Sequence, residues 1–290
     1  MSIEEMNNEV AWKMCDFLEY GARQVEETGI GEICGGDVRR EEMFYKQYIK
    51  TFEEMDGDGD DEMEMAEYIA RGVHRLEASE YRGDAYMRDI KIREKRMGRW
   101  ELGYEEYGAY EGFVCDDIEI TAEGREIPQI GFFAERHRYP VIKEGGREWM
   151  AIKPSEIATM RGPIAKAWGH VVTFGLGMGY YAYMVSEKAE VTKVTIVEKD
   201  RDVIKLFGEE ILPQFGQRAK IEIVESDAIA YMESGFEWDS VFVDLWHDAG
   251  DGRDIYKRIR EIDRGGEWEY WIEKSLQSAL RWQASHQNLF

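Results

Sequence analysis

Apolar side chains recur at helical spacing through residues 1 to about 97. Val10, Met14, Phe17 and Leu18 form one such stripe and Phe44, Tyr48, Ile49 and Phe52 another, while no comparable stretch alternates with period two. A helical N-terminal region, 1–98, is therefore predicted, with Gly29 to Gly36 as the break between its first two helices. From Trp100 to Trp149 the texture changes. Tyr107, Phe113, Ile120, Ile130 and Phe132 are interleaved with glycine and charge, and Asp117-Ile-Glu-Ile-Thr alternates. This predicts a β-rich segment, 99–153, whose few antiparallel strands form one small sheet against the next domain.

The third region, 154–290, opens on a helical pattern. Ser155 is the expected N-cap and Glu156 suits the first turn, whereas Gly162-Pro163 predicts two short helices in place of one long one. Val171 to Phe174 then reads as a strand buried on both faces of a parallel sheet. It empties into Gly175, Gly177 and Gly179, which allow a tight turn and close approach of a ligand. The helical pattern from Tyr180 to Lys188 would aim its first amides at whatever lies over the glycines, as in a nucleotide site.

Three further strands follow, and each ends in an acid. Val194 to Val197 leads to Glu198, Lys220 to Glu225 leads to Asp227 and Ala228, and Trp238 to Val243 leads to Asp244. Open α/β sheets bind ligands at these C-terminal strand ends, and Glu198 lies near the distance at which a βαβ unit delivers a carboxylate to ribose hydroxyls. A doubly wound α/β domain with a parallel sheet is the fold class expected here. About 40 residues remain beyond position 250 of 290, with Trp271, Ile272, Leu276, Leu280 and Trp282 at helical spacing, so the C-terminus is expected to be helical.

The spacing of the glycines is G-x-G-x-G, one residue short of the dinucleotide fingerprint. Together with Glu198, Asp227 and Asp244 it resembles motifs I to IV of the class I S-adenosylmethionine (SAM)-dependent methyltransferases, which are Rossmann-like. The resemblance covers roughly residues 154 to 250. It implies that Gly175, Gly177 and Gly179 cradle the methionine end of SAM, that Glu198 holds the ribose, that Asp227 meets the adenine amine with Ala228 behind it, and that Asp244 faces the transferred group. His247 is then a candidate base beside Asp244, with Asp248 as another and Trp246 as a wall.

Val191 to Asp200 looks most like the spermidine-synthase branch. The acidic signature of that branch reads here as Asp244-Leu-Trp-His247-Asp248, with the second acid replaced by His247 and no proline. By this resemblance the chain is expected to be a SAM-dependent methyltransferase of a small molecule. The alternatives are a spermidine-synthase-like aminopropyltransferase and a non-catalytic nucleotide-binding or interaction protein. A class I sheet has three more strands than the four read here, so either the upstream β segment completes it or the domain is minimal.

An acidic loop in the N-terminal region stands apart. Asp56, Asp58, Asp60 and Glu67 occupy positions 1, 3, 5 and 12 of a twelve-residue window flanked by helical patterns, which resembles an EF-hand calcium loop. Asp61 stands where that loop has glycine. Calcium binding and a plain acidic helix connection are both open readings.

Composition narrows the partners. Sixty Asp and Glu against 37 Lys and Arg leave a net charge of -23, a field that repels phosphate backbones and anionic membranes, so neither nucleic acid nor membrane is expected as a partner. Cys15, Cys34 and Cys115 are scattered without a C-x-x-C pair, and no basic-then-apolar leader or long apolar run is present. A cytoplasmic protein with a small-molecule substrate is expected. The helical N-terminal region is free to serve as a lid, a partner site or a homodimer surface.

Overall fold

The structure, a computed structural model, describes residues 1–55, 57–263 and 265–286. The chain forms two compact units: Met1–Tyr81 with Glu106–Arg138, and Arg82–Glu105 with Tyr139–Phe290. The expected boundaries at 98/99 and 153/154 do not coincide with these units. The segment 99–153 is divided between them and does not form one small sheet.

In the first unit, helices at Ile3–Asp16, Val38–Phe52 and Asp60–Gly72 pack around Met6, Val10, Phe17, Tyr45 and Ile49. Ser2 and Glu5 form a capping box on the first helix, and Asp37 caps the second by accepting from the Arg40 amide, which accounts for where each begins. The 1–98 region is not wholly helical. Val73–Leu76 is a strand, parallel to Ile130–Phe133, which in turn pairs antiparallel with Gly112–Val114. Four residues are too few to show a period of two, and the partner strand lies more than fifty positions away in sequence. Tyr45 and Phe132 stack at 4.0 Å between centroids, joining helix to sheet. The buried Glu41 carboxylate accepts from Arg75 Nε at 2.6 Å and from the Tyr110 hydroxyl at 2.8 Å, so its charge is both paired and hydrogen-bonded.

The second unit carries the parallel sheet. Its strands are β1 (Gly169–Phe174), β2 (Val191–Glu198), β3 (Ile221–Glu225), β4 (Ser240–Val243) and β5 (Trp268–Tyr270). Among the described residues they lie in the order β3-β2-β1-β4-β5, every neighbouring pair parallel. β4 and the last four residues of β1 are buried, as their unbroken apolar runs require. The connecting helices are α1 (Pro154–Lys166), α2 (Tyr180–Ser186), α3 (Arg201–Glu210), α4 (Ala228–Ser234), α5 (Ala249–Ile262) and α6 (Glu273–His286).

Three expectations for this unit are corrected. Helix α1 is continuous through Pro163, which sits in its last turns, where the missing amide costs one backbone bond and the helix ends soon after. Its N-cap is Lys153 with Pro154 at the first helical position, so Ser155 lies inside the helix. The region after 250 is not all helical either, since Trp268–Tyr270 adds a fifth parallel strand held against β4. The upstream β residues do not complete this sheet. Lys95–Met97, Trp100–Tyr107, His137–Glu144 and Arg147–Ala151 form a separate four-stranded sheet.

One buried acid in the first unit makes a measurable prediction. Burial, with the charge of Asp16 in support, raises the Glu53 carboxyl to about 6 from 4.5, and one of its oxygens has no hydrogen-bond partner. A folded-state value above the unfolded one favours the protonated form, so this stability is present below pH 4.5 and is lost as pH rises through about 6. Allowing for solvent screening, Glu53→Gln should raise the unfolding free energy at pH 8 by about 1 kcal/mol and leave it nearly unchanged at pH 4, as read by urea denaturation at the two pH values.

Candidate functional site

The sheet order reverses between β1 and β4, and the chain must turn sharply where β1 ends. Gly175 has φ +98°, and a Cβ there would run into the backbone carbonyl oxygen of Asp244 at the end of β4. Only glycine allows that approach. The Gly175 amide donates to the Val197 carbonyl at 3.0 Å and the Asp244 amide to the Phe174 carbonyl at 2.9 Å, so the ends of β2, β1 and β4 are tied side by side. Gly177, at φ +49°, lies beneath the sulfur of Met150. Gly179, at φ +72°, caps α2 and meets the Phe207 ring of α3.

These strand ends bound a cleft of about 280 Å³. Of the residues expected to bind cofactor, Gly175, Gly177, Glu198, Asp227 and Ala228 line it, as do the two expected catalytic residues, Asp244 and His247. Gly179 is not among the lining residues, and its position is one of close packing between α2 and α3.

The three strand-end acids are held in different ways. One oxygen of Glu198 accepts from the amides of Lys199 and Asp200, both at 2.8 Å, and the other accepts from Leu176 in the glycine loop at 3.2 Å. Asp227 caps α4 by accepting from the Ala230 amide at 3.0 Å through Oδ1. Among the described residues its Oδ2 takes no hydrogen bond. Asp244 is the acid drawn into the protein, and burial pushes its carboxyl up to about 7. Asp248 caps α5: its Oδ1 accepts from the Gly250 and Asp251 amides in a capping box with Asp251.

The far wall comes from residues to which the sequence reading gave no role. Trp100, Trp149 and Met150, from the separate four-stranded sheet of the same unit, line the cleft opposite the strand ends. Trp149 meets Trp100 edge-on at 5.6 Å and the His247 ring edge-on at 4.2 Å. Asp200 anchors this wall. It accepts from Trp100 Nε1 at 3.2 Å and Arg99 at 2.7 Å while capping α3. Burial alone would raise the Asp200 carboxyl, but the Val203 amide and Arg99 outweigh it and hold it below the usual range. Asp200 was legible only as part of the V-E-x-D ending of β2. Trp149 and Met150 carried no signal, because their place depends on how a distant hairpin docks.

A parallel sheet ordered 3-2-1-4-5, with a glycine turn after the first strand and acids at the ends of the next three, decides the class of the domain. Its fold is a Rossmann-like α/β fold. No protein-family model and no curated protein sequence matches the chain. Among solved structures it is similar to spermidine synthase from Thermotoga maritima, at 17% identity over 46% of this chain and 53% of that one, with a TM-score of 0.35. It is also similar to precorrin 8w decarboxylase from Methanobacterium thermoautotrophicum, at 16% identity over 45% of this chain and 68% of that one, with a TM-score of 0.32. A third is the C-terminal domain of precorrin-6Y C5,15-methyltransferase from Rhodobacter capsulatus, at 19% identity over 36% and 52% of the two chains and a TM-score of 0.28. The chain thus spans about half of the length of the first and third.

The acidic loop of the other unit does not take EF-hand geometry. The helix starts at Asp60, so Asp60 and Glu67 stand two turns apart, about 10 Å along one helix, and Glu67 is paired with Arg125 at 2.9 Å. Asp58 lies in the exposed turn before it, and Asp56 is outside the described residues. Among the described residues no three His, Cys, Asp or Glu side chains converge as a metal site.

The positive φ of Gly179 and its contact with Phe207 give a direct test of its packing role. Gly179→Ala should destabilise the protein by about 1–3 kcal/mol, from left-handed strain and displacement of the ring, as measured by urea denaturation.

Proposed function

We propose that the second unit binds SAM in the cleft at the ends of β1, β2, β3 and β4 and transfers its methyl group to a small-molecule acceptor. The observation that carries this reading is convergence. The glycine turn, Glu198, Asp227, Ala228, Asp244 and His247, widely spaced in sequence, line one cleft at the point where the sheet order reverses.

SAM, when bound, supplies a methyl group activated by a sulfonium sulfur. The residues present suit the holding of such a group. Glu198 already has one oxygen engaged by two amides, and its other oxygen, with a single amide donor, keeps a lone pair for a ribose hydroxyl. The open Oδ2 of Asp227 suits an adenine amine, and Ala228 offers an apolar surface beside it. Trp100, Trp149 and Met150 cover the opposite side and exclude water, and aromatic faces favour a cation. Asp244 faces the same cleft with its ionisation near neutrality, where a general base works best. His247 lies beside it and is oriented by Trp149.

Aminopropyl transfer is the nearest rival, since it uses the decarboxylated form of the same cofactor. His247 in place of a second acid speaks against it. Titration calorimetry with SAM, S-adenosylhomocysteine and decarboxylated SAM separates the readings. SAM and its demethylated product should bind, and Glu198→Gln should weaken both by tenfold or more, or about 1.4 kcal/mol. Asp244→Asn should keep SAM binding while lowering turnover by 10²–10⁴-fold, the usual range for loss of a general base. Preference for decarboxylated SAM would favour the rival, and failure of all three to bind would leave a non-catalytic protein.

A further inference from the structure

Beside the cleft, at Asp244, lies a small cavity of about 20 Å³. Met150, Gly175, Leu176 and Asp244 border both spaces, so Asp244 stands at their junction. Across the small cavity is Glu156 of α1, only 7% exposed. Its neighbours are apolar or aromatic: Ile152, Met160, Tyr181 and Phe242 also line the space. Among the described residues neither the Glu156 nor the Asp244 carboxyl accepts a hydrogen bond from a protein donor. The one basic side chain acting on Glu156 is Lys153, and its ammonium is held by Glu148 at 2.6 Å.

Two carboxylates bordering one small, largely apolar space do not readily both stay ionised without a cation, because burial and mutual repulsion each disfavour the second charge. We propose that Glu156 and Asp244 share one proton, Glu156 donating it to an ionised Asp244, so that Asp244 enters the reaction as a base held and oriented by a protonated partner. Both residues line this space, whose volume of about 20 Å³ is enough for a single water. Glu156 does not line the cleft and acts through Asp244, so it is a positioning residue. The direction of its ionisation agrees: burial first, then the charge of Asp244, keep its carboxyl well above the usual range. This inference rests on the methyl-transfer reading for its purpose but not for its chemistry.

The arrangement selects an acceptor whose nucleophilic nitrogen or oxygen carries a proton. With SAM bound, that atom would bond to the methyl carbon as the carbon–sulfur bond breaks and leaves its electron pair on sulfur; the X–H bond of the atom would break with its electron pair kept by the atom, and the proton would pass to Asp244. The pair then holds two protons and returns one to water through the cleft. The other titratable groups around the pair are Glu148 and Lys153, bound to each other, the hydroxyl of Tyr181, that of Tyr180, which donates to Asp84 at 3.1 Å, and, along the cleft, Arg99, Glu144, Glu198, Lys199, Asp200, Asp227, His247 and Asp251.

The test uses the full-length protein without cofactor, so that it does not depend on methyl transfer. Carbon-13 NMR titration of labelled carboxyl groups should show one of the two ionising near neutrality and the other staying protonated well above that. In Asp244→Asn the Glu156 ionisation should fall by at least about one pH unit, since the charge that raises it is gone. Independent titration of both groups near the ordinary value of about 4, or an unmoved Glu156 in Asp244→Asn, would overturn the proposal. A second readout is the pH profile of turnover. Glu156→Gln, which keeps a donor, should leave the acidic limb in place, and Glu156→Leu, which removes it, should move that limb about one unit towards alkaline pH with unchanged affinity for SAM. If Glu156→Leu loses only stability and its limb does not move, the role is structural. Absence of SAM binding would remove the methyl-transfer reading and leave the carboxyl titration to be judged by itself.

Discussion

The contact on which the site depends is the crossing of the β1 turn over the end of β4. Gly175 passes so close to the Asp244 carbonyl that no side chain fits, and paired amides tie the two strand ends to each other and to β2. Because the three strands end level, the groups that follow them fall into one cleft. Their burial in the sheet makes that alignment stiff: β1 and β4 are packed on both faces and have no freedom to slide.

From that alignment comes a division of labour among chemically similar acids. Glu198 and Asp200 are both surrounded by donors, one at the cleft and one in the wall that carries Trp100. Asp227 and Asp248 cap helices. Asp244 and Glu156 have no such donors and sit against apolar surface, which is why their ionisation moves upward. How each carboxylate is held thus follows from how many donors its backbone position supplies. Trp149, joined to both Trp100 and His247, links the struts to the reacting side of the cleft.

The chain's own pattern was enough for much of this. Buried apolar runs, a glycine turn and acids at strand ends are local features, and each is imposed by a local requirement: two-sided burial, a left-handed backbone, a hydrogen-bonding group at the ligand end of a strand. The central four strands and seven of the eight expected cleft residues were legible for that reason. Gly179 was misplaced because a glycine that admits a ligand and one that admits a Phe207 ring look alike in sequence. Trp268–Tyr270 was missed because three residues show no period and are a strand only through pairing with β4. The acidic loop matched a spacing, but the helix begins at Asp60, earlier than that spacing requires, and it carries Glu67 to Arg125.

What the sequence determined by itself was the α/β class, the order of the strands that carry the site and the chemical types at their ends, since these follow from neighbours along the chain. Tertiary structure alone decided how the β-rich segment is divided between units, that Trp149 and Met150 roof the cleft, and that Glu156 faces Asp244. Those outcomes depend on burial and on contacts between residues far apart in the chain. Burial governs whether a carboxyl is a charge or a proton store, and it is a property of the surroundings, which no local pattern encodes.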